Sequence, residues 1–210
     1  MAIPINIEDL LNKRKIESNR IEFKKGWNPD KIYRTICAFA NDFDNIGGGY
    51  IVVGIEEEER TGIAKRPVTG VPIEALNDIQ KDMVGYNNKI EPYYMPRIDV
   101  QEVDGKSVLV IWAPAGVNRP YNVRERVTAK QSPSKWYIRS GTSTIEAKGE
   151  VLDELREMAN RTPFDERGNE RIEISDISPA LVLDYLQTVG SRLANDFESK
   201  TLSLIHISEP

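Results

Sequence analysis

Residues 17–27, ESNRIEFKKGW, crowd Glu17, Glu22, Lys24 and Lys25 around Ile21 and Phe23. The apolar pair alternates with charged positions, the period-two pattern of a half-buried strand. A solvated edge strand would carry such charges, and so would a site that handles phosphates or a metal ion. A second acidic group, residues 56–59, follows the apolar run YIVVGI. It reads either as a solvated loop or, for Glu56 alone, as a carboxylate held rigidly at the end of a buried strand. Acids brought together would repel one another unless a divalent cation or lysines such as Lys24 and Lys25 neutralised them.

The third charged feature is basic. Between residues 119 and 139 stand Arg119, Arg124, Arg126, Lys130, Lys135 and Arg139 against Glu125 alone, a local charge of +5 in a chain whose net charge is -5. Tyr121, Trp136 and Tyr137 are interleaved with these cations, as on a surface that pairs with phosphates and stacks on bases. The same residues would also serve as a solvated hairpin with core aromatics. Ser140-Gly141-Thr142-Ser143-Thr144 follows, and its hydroxyls, with free backbone N–H groups at the start of a helix, would favour an anion; Ser143 is the residue taken from it.

Composition removes several other chemistries. Cys37 is the single cysteine and His206 the single histidine, so one chain builds neither a disulfide framework nor a Cys/His zinc site. Hydrolysis would have to come from carboxylates with a hard divalent metal, Mg²⁺ or Mn²⁺. GGGYIVVG has the G-x-x-x-x-G spacing of a phosphate loop, but Ile55 and Glu56 stand where Lys and Ser or Thr are required; residues 47–49 are expected to form a tight turn. With 40% hydrophobic and 29% charged residues in 210, the chain has the make-up of a globular protein. No apolar run approaches the ~20 residues of a membrane span and MAIPINIEDL lacks the basic and apolar regions of a signal peptide, so a cytoplasmic location without membrane contact is expected.

These residues need elements to position them. A short helix over residues 7–16 leads into a strand at 21–23. Asn28 as N-cap, Pro29 in the first turn, and Ile32, Ile36, Phe39 and Phe43 at helical spacing predict an amphipathic helix ending near Asn45. A buried central strand spans 50–55, and a helix over 72–85 presents Ile73, Leu76, Ile79 and Met83. Asp104-Gly105 predicts a hairpin joining strands 98–103 and 106–112. A strand at 136–139 precedes caps at 141–144 for a helix with Val151, Leu155 and Met158 inward. Residues 161–178 read as a linker with at most a short strand at 172–174, and Ser178-Pro179 opens a helix with Val182, Leu186, Val189 and Leu193 on one stripe.

In this order the pieces resemble the Schlafen AlbA-like domain family. ESNRIEFKKGW is similar to its E-x-x-x-x-E-F-K opening, TICAFANDFDNIGGGYIVVGIEE to its helix-glycine-strand core, and WYIRSGTSTIEA to its Y-I-R-x-G-x-S-T closing element. The resemblance implies an α+β domain, a mixed sheet with flanking helices, over residues 8–162. Residues 163–200 are then a linker and the start of a truncated second domain. Residues 201–210, TLSLIHISEP, resemble translated sequencing-adapter read-through. The family implies DNA or RNA binding, within proteins described as transcriptional regulators that often carry a downstream ATP-binding domain; ATP would enter only with that domain. Its RNA-cutting members hold a three-carboxylate metal site, which maps onto Glu17, Glu22 and Glu56, with Lys24 steadying the scissile phosphate. Asp is more usual at the third position, and residues 57–59 offer substitutes. The cutting enzymes use a paired domain, which a homodimer would supply here. A protein-interaction module is the remaining alternative.

Overall fold

The computed structural model describes residues 4–12, 18–58, 61–158 and 178–199. The chain divides into two compact units, Met1–Arg161 and Thr162–Pro210. The first is built on two four-stranded sheets. One contains β1 (Ile21–Lys24), β2 (Gly49–Val53), β4 (Arg97–Val103) and β5 (Lys106–Ala113) in the order β1-β2-β5-β4. β1 runs parallel to β2 while the other pairings are antiparallel, so this sheet is mixed. The other sheet is antiparallel, β3-β6-β7-β8, from β3 (Ile90–Glu91), β6 (Asn122–Arg124), β7 (Ser134–Ser140) and β8 (Ser143–Glu146).

Helix α2 (Pro29–Asn41) occupies the space between the sheets. Its start follows from the sequence: the Asn28 side chain accepts the Lys31 N–H at 3.2 Å, and Pro29 sits in the first turn, where its missing N–H costs nothing. It stops at Asp42, which is left-handed at φ 43°. The amphipathic pattern understates its burial. Ile32, Tyr33, Ile36, Cys37 and Phe39 are all enclosed, among Ile51, Leu109 and Ile111 of the first sheet and Tyr121, Val123 and Tyr137 near or in the second. Each large apolar side chain so buried contributes roughly 1.5–3 kcal/mol. Asn41 is buried with them because its amide is fully used, donating to the Tyr121 and Tyr137 carbonyls and accepting the Tyr121 N–H.

The glycine turn is tied to the end of this helix. The Asp42 carboxylate accepts the N–H groups of Ile46, Gly47 and Gly48 at 3.0–3.1 Å. Gly48 has φ +77°, and a Cβ there would stand 2.2 Å from the Ala113 carbonyl oxygen, so the expected need for glycine is met by both backbone angle and space. Beyond the turn every residue of β2 is buried. The opposite face of the first sheet is covered by α1 (Ile7–Leu11), whose Leu10 and Leu11 pack on Phe23, Val52 and Val110, and by Ile55, Ala64 and Val68.

Helix α3 (Ile73–Asn87) buries Leu76, Ile79 and Met83, but Ile73 is 66% exposed. The hairpin at Asp104-Gly105 is formed as expected, with both residues at positive φ and Val103 paired with Lys106, the type I′ requirement. One expectation is corrected. Ser140–Thr144 does not cap a helix: Gly141 at φ +55° and Thr142 turn β7 into β8, Ser140 pairs with Ser143, and the next helix, α4 (Glu150–Met158), begins only beyond β8. A glycine able to take positive φ closed a two-residue hairpin, and the hydroxyls are strand and turn residues. The expected mixed sheet is present, and a second, antiparallel sheet accompanies it, whose short strands β3, β6 and β8 carry little periodicity.

In the second unit, α5 (Pro179–Thr188) is followed by a 3-10 segment, Arg192–Ser199. The helix ends before Val189, and Gly190 at φ +71° breaks the expected stripe. Of the α5 residues only Leu186 is buried. The expected strand at 172–174, residues 13–16 of the first expected helix, and the tail at 201–210 lie outside the described residues. Among those described, no helix is long and apolar enough to cross a membrane.

Candidate nucleic-acid interface

Glu22 lies on β1 level with Ile51 of its parallel neighbour β2. Paired residues of adjacent strands share a face, and Ile51 belongs to the core on the α2 side, so Glu22 points toward α2 and the second sheet. There its Oε2 accepts from Arg139 of β7 at 2.5 Å, while Lys24 holds Oε1 at 2.5 Å. Arg139 is only 7% exposed. Its guanidinium also donates to Thr144 Oγ1 (2.8 Å) and the Thr142 carbonyl (2.7 Å) and lies 5.1 Å from the Phe39 ring. Thr144 in turn meets Thr35 of α2. The crowded charges of the opening segment thus join the two sheets.

Glu56 has a different partner. β1 and β2 end side by side, with Gly54 and Ile55 N–H groups on the Lys24 carbonyl, and this brings Lys25 within 3.1 Å of Glu56. The Lys25 ammonium holds the Glu56 carboxyl below the usual carboxylate range. Glu17 and Glu59 lie outside the described residues. Among those described, no three His, Cys, Asp or Glu side chains gather as a metal group would require, and a cation at Glu22 would have to displace an ammonium and a guanidinium from its two oxygens. The described residues therefore do not assemble a metal centre.

The basic segment divides into cations used internally and cations left on the surface. Arg119 donates to the Asn41 and Asp42 carbonyls at the C-terminal end of α2, where the helix dipole favours positive charge. Lys135 bridges Glu125 (2.8 Å) and Glu146 (3.2 Å). Glu125, then Glu146, push the Lys135 ammonium up, and Lys135 holds Glu125 down. Burial acts to raise Glu146, but Lys148 and Lys135 outweigh it and keep it lowered. Tyr137 is buried, with the Arg34 guanidinium 6.0 Å from its ring, and Ser143 is exposed on the β7–β8 hairpin.

Arg126 and Lys130 are exposed on the loop that connects β6 to β7, and half-buried Arg124 ends β6 beside them. That loop is fastened to the first turns of α2. Asp30 accepts from Thr128 through both its N–H (3.0 Å) and its hydroxyl (3.1 Å), and Arg34 donates twice to the Glu125 carbonyl. Arg124 donates to the Lys130 carbonyl at 3.1 Å, and Arg126 is 68% exposed with Asp30 4.0 Å away. The fastening adds two cations that the sequence reading passed over, the exposed Lys31 and the half-buried Arg34, spaced one helical turn apart on α2. Their i, i+3 spacing on the polar side of an otherwise apolar helix was the signal available.

A family model described as Schlafen, AlbA_2 matches residues 17–148. Among solved structures, the N-terminal domain of an ATP-dependent DNA helicase RecG-related protein from Nitrosomonas europaea is 26% identical, with 64% of this chain and 88% of that one covered at a TM-score of 0.44. The DIP2311 protein from Corynebacterium diphtheriae is 22% identical at a TM-score of 0.45, with 79% of this chain covered but 28% of that protein. No curated protein matches.

Proposed function

This chain belongs to the Schlafen AlbA_2 family, and from that premise we propose that its first unit binds nucleic acid through the surface formed by the β6–β7 loop and the first turns of α2. The observation that carries the reading is the fastening of Thr128 to Asp30, which sets half-buried Arg124 and exposed Arg126 and Lys130 beside the α2 turns that bear Lys31 and Arg34. Phosphate contacts of this kind give affinity without sequence information. They are tolerated in a chain of net charge -5 because the local field, and not the total charge, steers a polyanion. The biological setting of this reading is a transcriptional regulator.

The test is fluorescence anisotropy of labelled single- and double-stranded DNA and RNA across a KCl series. Replacing Arg124, Arg126 and Lys130 together by Gln should lower the slope of log K against log salt by roughly 2–3, at 0.7–0.9 per lost contact. A folded triple variant with unchanged affinity and slope refutes the proposed surface.

A further inference from the structure

A small cavity, about 10 Å³, lies where the end of α2, the glycine turn and β7 meet. Its walls are fixed from three sides. The 3-10 turn Ser18–Arg20 carries Asn19 into the lining and is fastened by Arg20, whose guanidinium donates to the Gly48 carbonyl at 2.7 Å and the Gly47 carbonyl at 3.2 Å. Asp42, at the helix end, is occupied by the N–H groups of the glycine turn. Arg139 is held from the other side by Glu22, Thr144 and the Thr142 carbonyl.

Two of the lining residues carry a buried polar atom with no hydrogen-bond partner among the described residues, Arg139 at Nε and Asn19 at Oδ1. The first can only donate and the second only accept. Each unpaired buried group costs about 1–3 kcal/mol, so the cavity favours an occupant that answers both. Its volume admits a single oxygen atom. A hydroxyl fits, since it accepts from the Nε–H and donates to Oδ1. A phosphate or carboxylate has no proton for Asn19 and meets Asp42 and Asp44 in the lining, and an ammonium has no lone pair for Arg139. Asp44 is exposed, so its carboxylate is open to a second hydroxyl beside the first, and Phe39 and Phe43 offer apolar surface to the carbons that bear them.

We propose that this cavity receives the 3′-terminal ribose of an RNA strand, a reading that rests on the nucleic-acid binding proposed above. The 2′-hydroxyl enters between Arg139 Nε and Asn19 Oδ1, and the adjacent 3′-hydroxyl donates to Asp44. A carboxylate that accepts from a ribose hydroxyl is the contact by which dinucleotide-binding folds hold the sugar. An internal nucleotide carries a phosphate on its 3′ oxygen, which Asp44 repels, so the strand end is selected. DNA lacks the 2′-hydroxyl that answers the two buried atoms. From Arg34 to Asp42 the helix rises about 12 Å, at 1.5 Å per residue, so a short stretch of one strand reaches from the cavity to the basic surface.

The test is anisotropy of 5′-labelled single-stranded RNA dodecamers that differ at one nucleotide, titrated against the full chain across a KCl series. Removing the 2′-hydroxyl of the 3′-terminal nucleotide should weaken binding about tenfold, because a buried guanidinium donor is left unpaired. Removing it from a central nucleotide should change nothing, and a 3′-terminal phosphate should weaken binding as much as the terminal deoxy sugar. Asn19→Ala should erase the difference between terminal ribose and deoxyribose at an unchanged salt slope. Asp44→Asn, an exposed substitution, should restore binding of the 3′-phosphorylated strand. Replacing Arg124, Arg126 and Lys130 by Gln should weaken every strand alike and keep the ratio between ends. Salt-dependent binding of equal strength to all ends overturns the cavity assignment alone, leaving solvent as its occupant. A preference between ends that survives both Asn19→Ala and Asp44→Asn overturns it too, and absence of salt-dependent binding overturns the basic surface along with it.

Discussion

Arg139 was expected from the sequence to contact phosphate, yet its surroundings make it a structural residue, and replacing it separates the two roles. Arg139→Met removes three charge-assisted hydrogen bonds, to Glu22, Thr144 and the Thr142 carbonyl, while retaining much of the apolar stem over Phe39. Removing one partner of a buried pair typically costs about 3–5 kcal/mol because the other charge is left uncompensated. Two features place this case at the low end. The Glu22 side chain is 16% exposed and keeps Lys24, and the Arg139 Nε is buried without a partner among the described residues, an existing cost that the substitution removes. A loss of about 3 kcal/mol is therefore expected. Urea unfolding followed by tryptophan fluorescence measures it as a lower midpoint with an unchanged m-value. Glu22→Gln should cost less, because Arg139 retains Thr142 and Thr144, and the double variant should recover part of the Arg139→Met loss. The salt slope of nucleic-acid binding should stay within error in any folded variant. The reasoning fails if Arg139→Met leaves the midpoint unchanged while the slope falls by about one contact, roughly 0.7–0.9.

Two further outcomes are expected. The lowered carboxyls of Glu125 and Glu146, from their ordinary 4.5, mean that the unfolded chain binds more protons in that region. Their contribution is complete above the unfolded carboxylate range and is lost as pH falls below it, whereas the raised Lys135 loses its share only above about 10.5. Lys135→Gln should accordingly flatten the fall in urea midpoint between neutral pH and pH about 3.5, and an unaltered acid limb would contradict the bridge. For the nuclease alternative, structured RNA incubated with the chain and Mn²⁺ should remain intact if Glu22 serves Arg139 and Lys24; cleavage abolished both by EDTA and by Glu22→Gln would instead establish a carboxylate metal site.

Local chemistry in the sequence determined the elements whose signals are complete within a few residues. Asn28 and Pro29 started α2, Asp104-Gly105 closed the β4–β5 hairpin, and the glycines before Tyr50 made a turn. It also determined the family, because the spaced E-F-K, G-G-G and Y-I-R elements are specific as a set even though each is weak alone. Tertiary structure decided what the charges do. Nothing within ESNRIEFKKGW says that Glu22 meets Arg139, 117 residues away; that pairing depends on β1 lying parallel to β2 and on α2 drawing the second sheet against the first. The same packing buried Arg139, engaged half-buried Lys135 with Glu125 and Glu146, and left Arg126 and Lys130 exposed, although all four look alike in a charge count. A side chain's charge is fixed by its type, but whether it faces solvent or a buried counter-charge is settled by long-range contacts, whose loop-closure cost only the assembled core repays.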